Sequence, residues 1–182
     1  MSVILRLPRP LYAKIMADLA RPHPFAAERV GFLFTRPGTA AAGDTLALAV
    51  DYTPVAETSY VPNDDPRIGV EIDSASIRTA MQRILDTGES VFHVHVHEHS
   101  GSPNFSRVDL RDLPQLAAAF RRVGPEVIHG GLVLSLDSGT ALAWLPGMST
   151  SVPIEEIDIV GFPLAIFQGS LATQQRGGNH RD

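Results

Sequence analysis

The chain contains no cysteine. That removes disulfides, thiolate metal sites and cysteine nucleophiles from consideration. It also lacks an excess of basic charge: 15 Lys and Arg stand against 20 Asp and Glu, giving a formal net charge of −5. A phosphate backbone is neutralised by a concentrated basic surface, so no nucleic-acid partner is expected. The segment Met1–Pro8 has no charged start followed by an apolar run, so a signal peptide is not expected. No stretch approaches the roughly 20 apolar residues of a membrane span. Internal repeats and low-complexity blocks are missing too. The expectation is a cytoplasmic protein with no membrane partner.

What is there fits one domain. The chain has 182 residues, 44% hydrophobic and 19% charged, enough to bury a core without covalent staples. Apolar periodicity predicts strands over 3–7, 29–35, 46–55, 68–72, 127–136 and 141–145, and a last one within 157–167 interrupted by Gly161 and Pro163. Helical spacing is found at Leu11–Leu19, and at Ala75–Leu85 between a capping Asp73 or Ser74 and Gly88. A further helix, capped by Ser106 or Asp112, runs to about Val123; Pro114 suits a start at Asp112. Helices between mostly antiparallel strands predict an α/β or α+β sandwich, with one sheet and helices on both faces. The domain is expected to span 1–167, followed by a polar, mobile tail over 168–182.

The chemistry concentrates in one segment, Val91-Phe92-His93-Val94-His95-Val96-His97-Glu98-His99. A strand repeats every two residues, so the four imidazoles share a face. Two histidines at i and i+2 can reach one ion about 2 Å from each nitrogen. Asp109, at the mouth of the next helix, can supply a third ligand, leaving one position open as in catalytic sites. Zinc is the default for nitrogen and oxygen donors, with other divalent ions possible. A proton acceptor is needed as well, and Glu28, at the start of an apolar strand, is the candidate. His129, in an apolar strand, reads as a satisfied core histidine, and Trp144 as a core aromatic. The loop Tyr60–Pro66 either lines a substrate groove or merely connects, and Arg176-Gly177-Gly178 reads as coincidence.

Three segments in order, Glu28-Arg29-Val30-Gly31-Phe32-Leu33, His97-Glu98-His99 and Ser106-Arg107-Val108-Asp109, resemble the JAB/MPN metallopeptidases with their JAMM motif: Glu-x-x-Gly, His-x-His, then Ser-x-x-Asp. The resemblance spans Pro10 to Trp144. It implies a single JAB/MPN-like domain, a mixed and mostly antiparallel sheet in a three-layer sandwich of the cytidine-deaminase type. It further implies one zinc ion per chain held by His97, His99 and Asp109. Glu28 would be the base and Ser106 the oxyanion donor. The implied substrate is the amide after the C-terminal glycine of a ubiquitin-like protein or its conjugate, and a homodimer is common in the family. Two departures stand out. Ser100 replaces the family's proline, and the gap to Ser106 is short for His97/His99 and long for His95/His97. The preferred pair is His97/His99, because Glu98 suits the wet end of a strand and Val96 looks like core; His95 is the register alternative. His93 and His95 are otherwise expected to pack behind the ligands. Other functions in view are an amidase acting on a small amino-acid adduct of a sulfur-carrier protein, and a catalytically silent MPN-type interaction module.

Overall fold

Alternation along one strand sorts the two faces of the sheet. Val30, Phe32 and Phe34 face one way and Leu33 the other, all buried. The computed structural model describes residues 2–39, 43–62 and 70–169. Its elements are β1 (Val3–Pro8), α1 (Arg9–Leu19), β2 (Val30–Thr39), β3 (Thr45–Pro54), α2 (Ser74–Thr87), β4 (Ser90–Val96), α3 (Arg107–Val123), β5 (His129–Leu134), β6 (Gly139–Trp144), β7 (Val152–Pro153), β8 (Glu156–Val160) and β9 (Ala165–Gln168). The strands form one sheet in the order β7-β6-β5-β4-β2-β3-β1-β8-β9. Most neighbours are antiparallel; β1–β3, β1–β8 and β4–β5 are parallel. The sheet curls, so that β6 touches β9 although six strands lie between them in that order.

The α1 face is the larger core. Ile15 and Leu19 of α1 pack with Leu5, Leu7, Leu33, Phe92, Val94, Leu132 and Ile157. On the opposite face Ala80 and Ile84 of α2 and Phe120 of α3 cover Val30, Phe32, Phe34 and Val91. Each such side chain contributes roughly 1.5–3 kcal/mol by leaving water. Helices thus lie on both faces of a mostly antiparallel sheet, as expected, with α2 and α3 gathered over β2, β4 and β5. Gly31 shows how tightly the α1 face is filled. A Cβ there would sit 2.4 Å from the ring of Tyr52, whose hydroxyl donates to Asp18 at 2.6 Å.

Helix ends follow sequence chemistry closely. Asp73 accepts the Ser76 amide at the start of α2, and Gly88 ends it in a left-handed turn at φ 68°. Ser106, not Asp112, caps α3, and the helix continues through Pro114. Pro114 is solvent-facing, so the Leu110 carbonyl, which loses its helical amide partner there, is left to solvent.

Other boundaries moved. The strand expected over 68–72 has residues 68–69 outside the described ones, and what is described is a single bridge between Tyr60 and Ile72. Much of the Tyr60–Pro66 loop, residues 63–66, also lies outside them. The last expected strand is two, β8 and β9, joined by a turn at 161–164. Gln168, where the tail was expected to start, belongs to β9, and residues 170–182, with Arg176-Gly177-Gly178, lie outside the described ones. No helix among the described residues is long and apolar enough to cross a membrane.

Gly31→Ala is expected to destabilise the fold by about 1–3 kcal/mol through overpacking against Tyr52, read as a lower midpoint in urea unfolding. A midpoint equal to that of the unaltered chain would show that the Tyr52 ring can yield.

Candidate metal centre

The centre is built where β2 begins, β4 ends and α3 begins. The antiparallel register pairs Val30 with His95, Phe32 with His93 and Phe34 with Val91. Glu28 lies two residues before β2, and His97 one residue past the end of β4. Glu28, His95 and His97 each offer a ligand atom, and these atoms all lie within 4.8 Å of one another.

α3 crosses above because β4 and β5 are parallel, which requires a covering connection. Its N-terminus opens at the carboxyl end of β4, where parallel strands present their ligand sites. A capping box fixes this end. Ser106 Oγ accepts the Asp109 amide at 3.1 Å, and the Asp109 carboxylate accepts the Ser106 amide at 2.7 Å. The same Asp109 oxygen, Oδ2, stands 3.6 Å from His95 Nε2. That nitrogen is buried and has no hydrogen-bond partner among the described residues. A buried imidazole nitrogen with no partner, facing two carboxylates and a second imidazole, is the donor chemistry of a divalent-cation site.

The two candidate registers separate here. His95 and His97 share the centre, with ring centroids 5.1 Å apart. His99 lies outside it. β4 ends at Val96, the chain turns so that the His99 amide donates to the His97 carbonyl at 2.8 Å, and the His99 carbonyl accepts the Leu136 amide at 3.1 Å. The His99 ring is exposed, with Nδ1 2.9 Å from the Ser100 carbonyl. Val96 is indeed core and Glu98 exposed, as the sequence suggested. A core residue between two ligands is nevertheless what a strand provides, since its neighbours in sequence point to the other face. His97, one residue past the strand, still donates its amide to the Leu134 carbonyl and keeps the alternation, whereas His99 lies in the turn beyond it.

Electrostatics match a site prepared for positive charge. Burial, with the Asp109 charge adding to it, pushes the Glu28 carboxyl up to about 7. Burial lowers His93 to about 4 and also lowers His95 and His97, against the opposing pull of Asp109. All three imidazoles are therefore neutral at pH 7, the form that binds metal. Two features escaped the sequence reading. One is His93, whose ring lines the cleft together with Glu28, His95, His97, Ser106 and Asp109. The other is a clamp on the residues next to Glu28. Its neighbour Arg29 is buried and makes paired bonds to Glu57 at 2.7 and 3.0 Å, with further bonds to the Arg21 and Pro22 carbonyls. His23 Nδ1 accepts the Ala26 amide at 3.1 Å, and its Nε2 stands 3.3 Å from Glu57. No local pattern marks Glu57, because its partners lie 28 or more residues upstream.

No protein-family model and no curated protein matches this chain.

His129 is the satisfied core histidine that the sequence suggested. It is fully buried, Nδ1 accepts the Val91 amide at 3.2 Å and Nε2 donates to the Gly124 carbonyl at 2.8 Å. Trp144 is buried against Leu113 and Ala117.

Burial lowers His129 to about 4. The unfolded chain, with histidine near 6.5, binds that proton first, so the stability is complete above 6.5 and is lost as pH falls toward 4. The chelator-treated protein should melt at progressively lower temperature from pH 6.5 to 4, and His129→Gln should flatten the slope; an unchanged slope in that variant would rule His129 out as a source. Ser106→Ala should cost about 1 kcal/mol of stability by removing the cap, measured by thermal unfolding.

Proposed function

We propose that the chain is a zinc-dependent metallopeptidase of the JAB/MPN kind, hydrolysing the amide after the C-terminal glycine of a ubiquitin-like protein. The observation that carries this reading is the buried, unpartnered His95 Nε2, facing Asp109 and grouped with Glu28 and His97. In this reading His95, His97 and Asp109 hold the ion, the register alternative to His97/His99. Zinc suits two imidazoles and a carboxylate without thiolate. The chemistry zinc supplies when bound is Lewis-acid polarisation of the amide carbonyl and acidification of water.

The protein's own groups do the rest. Glu28 accepts a proton from the attacking water as the new C–O bond forms. It then delivers that proton to the amine nitrogen as the C–N bond breaks. A carboxyl this close to the candidate ligands is placed to make both transfers. The Ser106 oxygen accepts the Asp109 amide, which leaves its own hydrogen to donate to the oxygen that gains negative charge. A small amide, such as an amino-acid adduct on a sulfur carrier, is the second reading. It is favoured by the cleft of about 670 Å³, within the range of small-molecule sites. The dimer expected from the resemblance and cytoplasmic residence belong to the same proposal.

The test is cleavage of ubiquitin-like C-terminal fusions, with metal content measured in parallel. The unaltered chain should bind about one zinc and lose activity to a chelator. Glu28→Gln should keep the metal and lose about 10²–10⁴-fold in rate. His95→Ala should lose the metal and His99→Ala keep it. The reverse result for the two histidines would restore the His97/His99 register, and full activity in Glu28→Gln would end the proposed mechanism.

A further inference from the structure

The cleft does not stop at the ligand cluster. One face of α3, from Asp109 through Leu113 and Leu116 to Ala119, lines it, a run of about 15 Å along the helix axis. Ile72 and Ile77 line it as well, Ile77 from the first turn of α2. Away from the candidate ligands, the one histidine at its floor is His93.

That histidine is unusual for its surroundings. Its ring lies edge-on to Phe32 at 6.1 Å and is tilted against His95 at 5.9 Å. It makes no hydrogen bond among the described residues, and part of its surface opens onto the cleft. Gly131, paired with His93 across β4 and β5, has no side chain. A Cβ there would stand 2.4 Å from Leu113, so α3 is seated close to the sheet beside the imidazole.

An apolar hollow with one imidazole at its floor is complementary to a bulky apolar group ending in one polar atom. A wholly aliphatic group would leave the His93 nitrogens dry and unpaired. His93 lies two strand positions from His95, about 6.6 Å, a distance that an aromatic ring spans.

We propose that the cleft between α2 and α3 is a side-chain subsite for a phenol-bearing, tyrosine-like residue beside the hydrolysed amide, with His93 hydrogen-bonded to the phenolic oxygen. This deepens the metallopeptidase reading and rests on it for the word substrate. The binding claim stands on the cleft alone.

Two measurements separate the claims. The first is binding of p-cresol and of toluene to the zinc-loaded full chain, followed by the NMR shift of the His93 ring. Saturable p-cresol binding at least tenfold tighter than toluene is expected. Ala119→Phe should abolish it by filling the hollow, and His93→Leu should make the two probes equal. No saturable p-cresol binding, or equal binding of the two probes by the unaltered chain, overturns the proposal. The second is cleavage of ubiquitin-like fusions whose residue after the terminal glycine is tyrosine or alanine. A kcat/KM at least tenfold higher for tyrosine, with the ratio near one in Ala119→Phe, supports the subsite. Cleavage without probe binding or tyrosine preference overturns the subsite and upholds the peptidase. Probe binding without any cleavage upholds the cleft and overturns the peptidase.

Discussion

The pairing of β2 with β4 is the constraint on which the rest depends. Its register puts Val30 beside His95, and the segments that flank this pairing bring Glu28 to His97 across a sequence gap of nearly seventy residues. A slip of one residue would send the imidazoles to the α1 face, among Phe92, Val94 and Leu132. Burial on both faces prevents the slip, because Phe32 and Phe34 fill the space under α2 and α3 while Leu33 fills the space under α1. The same hydrophobic sorting that stabilises the sheet therefore fixes the geometry of the candidate centre.

Against that fixed frame the polar groups are held under electrostatic tension. Three imidazoles are driven toward neutrality by burial, and burial, with the nearby Asp109 charge adding to it, disfavours the charge of Glu28. His95 Nε2 remains without a partner among the described residues. Such an arrangement costs stability by itself. A divalent cation would remove the cost in one step, by accepting the nitrogen lone pairs and offsetting the paired negative charge. This is the physical sense in which the fold is better suited to a cation than to its absence. The clamp of Arg29, Glu57 and His23 around Glu28 serves the same end, since a carboxylate on a loop needs anchored neighbours to be aimed.

The cleft adds a second level of organisation. α3 carries the Ser106–Asp109 cap at one end and the apolar wall of Leu113, Leu116 and Ala119 along its body. One helix thus joins the chemistry to the proposed recognition, and Gly131 sets how closely it lies to His93.

Much of this was legible in the sequence. Alternating apolar residues determined most strands, Asp73, Gly88 and Ser106 marked helix ends, and the spacing of histidines, Glu28 and Asp109 pointed to a metal. These are local signals, set by backbone periodicity and by the hydrogen-bonding habits of short side chains. Which two histidines share the centre was not legible, because four at period two look equivalent until the point where the strand ends is known. That end is fixed by β5, whose Leu134 carbonyl takes the His97 amide and whose following turn takes the His99 carbonyl. His93 as the floor of a cleft, and Glu57 as an anchor for the Glu28 loop, likewise required the fold, since both depend on residues far away in the chain. The sequence by itself determined which chemistry the protein can carry; the tertiary structure decided which side chains meet, because strand ends and helix seating are set by long-range packing.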